Sequence, residues 1–360
     1  FNQILYVKSL NNIKALNFFE SVDGEVLNGN EFNTKIININ IVEKPTGEIF
    51  AGVGTGTDGS SFAFGISENN YLGRGVKVDS NLSVSQERLK GKFIVSNPNY
   101  KNSDKNLDLS LEATSIDRVE TSGYKSNVTG FSIGTQFEYL DDFSFGLSTR
   151  NTLEKIDVDS SASARQKKQD GNYFDSFIGI DFFYDKRNQK YQTTSGFFSS
   201  YNVGIPILSD TNTFTNFYNY KIFKELYENN VSTFSFLFKS ASSLSGDDVK
   251  LSERLYIPGR KLRGFESGKI GPKDGSDYIG GNYVSSINAT TTLPKVLENA
   301  QNVDIVVFAD AANIWGVDYD SSLDKNGIRS SVGVGLDWLT PVGPLTFSFA
   351  QPITKEPTDI

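Results

Sequence analysis

From about residue 48 onward, apolar and polar positions alternate along the chain. Leu107, Leu109 and Leu111 are separated by Asp108 and Ser110, and Phe143, Phe145 and Leu147 by Ser144 and Gly146. The same period runs through Phe131, Ile133, Thr135, Phe137 and Tyr139, through Val332, Val334, Leu336 and Trp338, and through Leu345, Phe347 and Phe349. Residues two apart share one face of a strand, so the pattern predicts strand after strand with turns between them. Alternation and turn signals place about fifteen strands near 48–57, 60–68, 74–87, 90–97, 106–118, 124–140, 142–156, 172–185, 196–206, 212–226, 230–244, 278–293, 303–315, 328–339 and 343–353. Strands of soluble sandwiches average about 5 to 6 residues, whereas a tilted membrane strand needs about 9 to 11. Several of these segments run past ten residues, which selects an all-β transmembrane barrel of antiparallel strands. Single-chain bacterial barrels have even strand counts, so a sixteenth strand is expected beyond the polar KEPTD run before Ile360.

The first 46 residues follow a different pattern. Ile13, Leu16 and Phe19 stand at helical spacing within 10–19, and two short strands follow at 22–27 and 35–42. In the second, Ile37, Ile39 and Ile41 alternate with Asn38 and Asn40. Pro45 and Gly47 then punctuate the chain, dividing it into an α+β module at 1–46 and a barrel at 47–360.

Composition narrows the function. No apolar run approaches the ~20 residues of a spanning helix, and mean hydropathy is -0.33. Aromatics at 13% and 28 Phe suit rings at a membrane interface. A net charge of -8 without clustered Lys and Arg argues against a nucleic-acid partner. Cys and His are absent, which removes thiol nucleophiles, imidazole triads and Cys/His metal sites. The expectation is a protein that is not an enzyme and needs no metal or cofactor. Met is absent too, so Phe1 is not a translation start and the chain reads as a fragment.

The segment 246–277 joins two expected strands and carries Leu262-Arg263-Gly264-Phe265. An arginine on a lipid-facing strand is heavily penalised, but one on a long loop can fold into the lumen and meet a carboxylate. The loop therefore reads as a plug, and Asp310 shares one strand face with Val306 and Phe308, opposite to Val307, Ala309 and Ala311. Taken alone, the same residues also fit a mobile extracellular loop with glycines at its turns and a solvated lumenal aspartate. The runs 101–106 and 160–171 read as solvated loops. Asp185 and Arg187 read as a turn pair, and Asp141 and Asp142 point to opposite faces and make no dyad.

The first strand contains Glu48, Ile49 and Phe50, with Gly52, Gly54 and Gly56 on one face. Glycine permits twist, and here it also leaves little side-chain packing to hold the strand to a neighbour.

In one order and with barrel-length spacing, the chain carries KALNFFESVDGEVL (14–27), EKPTGEIFAGVGTGTDG (43–59), ENNYLGRG (68–75), YDKRNQKYQTTSG (184–196), IPGRKLRGF (257–265), IGGN (279–282), VFADAANIW (307–315) and SSVGVGLDWLTPVGPLTFSFAQPI (330–353). Together these resemble the BamA family of outer-membrane assembly factors, which insert other β-barrel proteins. The resemblance implies that 1–46 ends a periplasmic POTRA module and that the barrel lies in the bacterial outer membrane. It implies a loop-to-lumen lock made by Arg263, Gly264 and Phe265 with Phe308 and Asp310. Ala312 stands where the family commonly has glycine, and Thr290 where it often has a second carboxylate, so a lock with one acidic partner is implied. The seam beside the first strand would be a lateral gate to which a client strand adds by β-augmentation. Partners would be unfolded outer-membrane clients, accessory lipoproteins and outer-membrane lipid. The alternatives are a related secretion pore and a passive porin.

Overall fold

The computed structural model describes residues 1–360 except 57–58, 104, 191–192, 229, 294–302, 325 and 341–342. Thr57, the expected end of the first barrel strand, therefore lies outside the described residues.

The chain begins with α1 (Gln3–Ala15), β1 (Phe19–Asn28) and β2 (Lys35–Glu43). The helix lies earlier than the 10–19 spacing suggested, for reasons visible at its ends. The Asn2 side chain accepts from the backbone N–H groups of Ile4 and Leu5 at 2.9 and 3.2 Å, capping an earlier start. Asn17 at φ 58 then breaks the helix, and Phe19 begins β1, which pairs antiparallel with β2.

A single antiparallel sheet of fifteen strands follows. Its first half is β3 (Gly47–Gly56), β4 (Gly59–Tyr71), β5 (Val76–Ser85), β6 (Arg88–Asn97), β7 (Leu107–Arg118), β8 (Tyr124–Leu140) and β9 (Phe143–Val158). The second half is β10 (Gly171–Asp185), β11 (Gly196–Pro206), β12 (Thr213–Tyr227), β13 (Asn230–Ser243), β16 (Tyr283–Thr292), β17 (Val303–Trp315), β18 (Arg329–Thr340) and β19 (Gly343–Thr354). Two-residue strands β14 (Lys273–Asp274) and β15 (Asp277–Tyr278) form a small hairpin inside the connection between β13 and β16. Each long strand pairs with its neighbours in sequence order, with β3 at one edge and β19 at the other.

One expected strand, at 278–293, starts later than the pattern indicated. Its first five residues stay with the loop: Tyr278 pairs in the hairpin, and Gly281 bridges back to Leu255. The 160–171 run is also more than a solvated loop. Ser163 and Gln166 form a capping box on a helical turn at Ala164–Lys167, and Gln166, 1% exposed, donates to the Ser122 carbonyl.

Alternation sets what faces out and what faces in. On β3, Ile49 and Val53 are each 74% exposed on the outer side, while Phe50 shares the inward row with Gly52 and Gly54. Phe50 pairs with Gly65 of β4, and its ring covers the place a Gly65 side chain would take. That ring-over-glycine contact is a cross-strand interaction of about 1 kcal/mol. Replacing Gly65 with leucine should expel the ring, and backbone amides of β3 should then exchange about fivefold faster by hydrogen–deuterium exchange, with β7 to β10 unchanged.

An inward loop locked to the wall

The connection between β13 and β16 folds into the barrel. Ile257, Leu262, Phe265 and Ile270 from this loop pack against Leu237 of β13, Val284 of β16, and Ala312 and Ile314 of β17, all nearly or fully buried. This apolar contact fixes where the neighbouring charges fall.

Each residue of the Arg263-Gly264-Phe265 motif meets a different part of the wall. Arg263 donates from Nε to Asp310 Oδ2 and from Nη2 to Asp310 Oδ1, each at 2.7 Å. Its backbone N–H adds a third bond to Oδ2 at 3.1 Å. The guanidinium also lies 3.4 Å from the ring centroid of Phe308, a cation–π contact. Phe308 has room for this because its cross-strand partner is Gly333, where a Cβ would stand 2.5 Å from the ring. Gly264 adopts φ 89 and backs onto Ala350 of β19, whose Cβ is 2.9 Å from where a Gly264 side chain would begin. Phe265, 1% exposed, fills the apolar cluster.

The wall beneath the motif is one cross-strand row. Ser235 of β13 faces Asn288 of β16, which faces Asp310 of β17, which faces Ser331 of β18. Asn288 donates to Asp310 Oδ1 at 2.9 Å and to the Lys261 carbonyl at 2.8 Å. Thr290 Oγ1 accepts from Arg263 Nη2 at 3.4 Å, so it contributes an oxygen but no charge. Asp310 is the one carboxylate paired with Arg263 among the described residues.

Sequence reasoning missed three further buried basic residues, which make five ion pairs among the described residues. Lys250, 2% exposed, reaches Glu154 of β9 at 2.8 Å, Asp175 of β10, and Glu253 of its own loop at 3.7 Å. Glu154 lies opposite Tyr173 and Asp175 opposite Thr152, so the two carboxylates are diagonal neighbours on the wall. Burial raises the Glu253 carboxyl above the ordinary glutamate range, with Lys250 and the Thr213 hydroxyl opposing. Arg254 pairs with Asp318 in the connection after β17. Burial would raise Asp318, but Arg254, the Val249 N–H and Asn282 together hold it low. Arg329, fully buried, donates to Asp359 at 2.8 Å. Asp359 also accepts from the Gly271 N–H at 3.0 Å, and the Glu266 N–H donates to the Ile360 carbonyl at 2.8 Å.

Other expected residues lie apart from this centre. Glu48, Ile49, Phe50, Gly52, Gly54 and Gly56 form β3 at the sheet edge. Asp185 and Arg187 pair with each other in the turn after β10 at 2.6 Å, and Asp142 occupies a left-handed turn position at φ 65. Among the described residues no group of acidic side chains is arranged to hold a metal ion.

A long antiparallel sheet with apolar side chains outside and a charged loop inside defines an outer-membrane β-barrel with an internal plug. Residues 70–360 match the Omp85 superfamily domain, and the chain belongs to that superfamily. It is 26% identical to outer membrane protein assembly factor BamA of Nitratidesulfovibrio vulgaris over 97% of its own length and 44% of that protein's, so it spans under half of that relative. The crystal structure of BamA from Haemophilus ducreyi lacking POTRA domains 1–3 superimposes with a TM-score of 0.87 at 23% identity, over 98% of this chain and 76% of that one. CdiB from Acinetobacter baumannii has a TM-score of 0.63 at 12% identity, over 97% and 65%.

Two outcomes test the lock. Arg263→Lys keeps the charge but loses the two-pronged fork and the flat face on Phe308. It should release about 2 kcal/mol of loop docking, the scale of hydrogen bonds to charged groups, seen as roughly 30-fold faster amide exchange over 257–265. Lys261, at the loop tip, is pushed down to about 8 by burial, with Lys221, Arg260 and Arg263 adding to the effect and Asp310 opposing it. Between that value and the ordinary 10.5 the undocked lysine binds more proton than the docked one, so docking strengthens as pH rises through this window. A fluorine label on Ser267→Cys should report a growing docked population from pH 8 upward, and Lys261→Gln should flatten the response.

Proposed function

We propose that this chain is the membrane-embedded part of a factor that assembles β-barrel proteins into the outer membrane, working by strand addition at the seam beside β3. The observation that carries the reading is that β3 is an edge of the sheet whose inward row, after Glu48 and Phe50, consists of glycines. An edge strand presents unpaired N–H and C=O groups, which hydrocarbon cannot satisfy, so a weakly held seam is a template for an incoming strand. Backbone bonds contribute about 1 kcal/mol net each, and little side-chain packing adds to them here. A client strand would add through the same bonds, its alternate side chains giving selectivity. The likeness to BamA proteins supports this function. On this reading the segment at 1–46 is the end of a POTRA module, the partners are unfolded barrel clients and accessory lipoproteins, and the Arg263–Asp310 lock holds the plug in place while the seam opens.

The likeness to CdiB favours a second reading, a secretion pore of related build. Such a pore would have to clear its plug and conduct, and the inward loop tied by several buried ion pairs works against that.

The chain has no cysteine, which gives a clean background for a crosslink. In the full-length protein, Phe50→Cys paired with a cysteine on the strand facing β3 across the seam should, when oxidised, abolish insertion of client barrels in reconstituted vesicles. Reduction should restore it. Insertion at the unlocked rate in the oxidised protein would remove the gate from the mechanism, and steady conductance of the unlocked protein would favour the pore.

A further inference from the structure

The cross-strand row under the plug carries more positive charge than it neutralises. Lys221 of β12 faces Ser235 of β13, next in the row that leads through Asn288 to Asp310. Directly opposed residues in an antiparallel pair have Cβ atoms about 5 Å apart on one face of the sheet. Lys261 comes down from the loop tip and donates to Ser235 Oγ at 3.1 Å. The ammonium of Lys261 is therefore set over the residue beside Lys221. Arg260 precedes it in the loop and is exposed to the lumen, while Lys221 and Lys261 are half-buried.

The nearby carboxylate does not balance these groups. Both oxygens of Asp310 are filled by Arg263 and Asn288. Arg187, in the turn after β10, is committed to Asp185. Among the described residues, Lys221, Arg260 and Lys261 make no ion pair. In a chain of net charge -8, three cations without an ion pair, close enough that Lys221 and Arg260 both act against the charge on Lys261, mark a place for anionic groups from outside the fold.

We propose that Lys221, Arg260 and Lys261 form a lumenal site that receives the carboxylates of an acidic peptide segment. This deepens the assembly reading, on which it rests for the presence of polypeptide beside the plug. The barrel wall separates the site from lipid, which disfavours a lipid headgroup. An extended peptide places every second side chain about 7 Å apart, a spacing that lets successive carboxylates meet the wall lysine and the loop-tip cations. Burial pushes Lys261 down to about 8 with Lys221, Arg260 and Arg263 adding to it, and a ligand carboxylate would oppose the shift as Asp310 does.

The test uses the full-length protein in nanodiscs with a fluorescent peptide of alternating Glu and Thr, its Gln-for-Glu counterpart, and inorganic pyrophosphate. The Glu peptide should bind, weaken with added salt, and crosslink through a carbodiimide to Lys221 or Lys261. Near pH 8 binding should take up protons, because a paired Lys261 regains its charge; a merely structural lysine would not produce this. Lys221→Gln with Lys261→Gln should weaken binding about tenfold or more, and Lys221→Arg with Lys261→Arg should restore it. Amide exchange over 257–265 checks that the loop stays docked in each variant. Equal binding of the Glu and Gln peptides, unchanged affinity in the double Gln variant with the loop docked, or crosslinks only elsewhere would overturn the proposal. Binding of pyrophosphate without binding of the Glu peptide would also overturn it, in favour of a phosphate ligand. Peptide binding with a failed seam lock would refute the gate and leave the site standing; the reverse result would refute the site alone.

Discussion

The structure depends on the rule that a charge taken out of water must be matched where it lands. The outside of the barrel meets hydrocarbon, so every ionisable wall residue in mid-strand must face in, and strand alternation enforces that choice at Glu154, Asp175 and Asp310 alike. Left alone in a filled lumen these carboxylates would be costly to ionise. The loop between β13 and β16 brings Lys250 to the first two and Arg263 to the third, and Arg254 meets Asp318 farther along. Such pairs offset desolvation more than they add net stability. Their contribution is position: three matched charges at separated points of the wall allow one seating of the loop, and a shifted seating would strand several at once.

The apolar and polar contacts of the loop divide the work. Leu262, Phe265 and Ile257 supply non-directional burial against β13, β16 and β17, while the Arg263 fork selects the register. Gly264 explains why the motif needs a residue without a side chain at its centre, since it has a left-handed backbone and lies against Ala350 of β19. Phe308 and Gly333 extend the same logic to the wall, where a glycine on β18 makes room for the ring that supports the guanidinium.

Much of the strand pattern was legible because lipid outside and a polar lumen inside impose a strict period of two. Arg263 and Asp310 could be paired on family resemblance, since a loop arginine and an inward aspartate are distant in sequence and nothing local connects them. The Lys250 cluster was not legible. Glu154 and Asp175 become neighbours only through the β9–β10 register, and the loop that carries Lys250 has no period to read. The same gap explains the late start of β16 and the docked turn at Ala164–Lys167. The first is set by pairing within the plug, and the second by the Ser163–Gln166 capping box and its bond to the Ser122 carbonyl. At the N-terminus the helical spacing was real, but Asn2 and Asn17 decide where the helix begins and ends, and caps outweigh periodicity at element boundaries.

The plug and the far edge of the sheet are also joined. Gly264 touches β19, and the residues that follow that strand turn inward: Asp359 accepts from Arg329 of β18 and from the N–H of Gly271 in the plug, and Ile360 accepts from Glu266. Asp359 thus binds two elements that would otherwise move separately, and because Arg329 is fully buried, separating them would leave a charge without a partner. Movement of β19 is therefore coupled to the plug through the backbone contact at Gly264 and the charge at Asp359. At the other edge, β3 has Phe50 over Gly65 and otherwise mostly glycine on its inward face. The two edges are held by unequal means, β19 by backbone and charge contacts with the plug and β3 by a ring laid over a glycine of its neighbour.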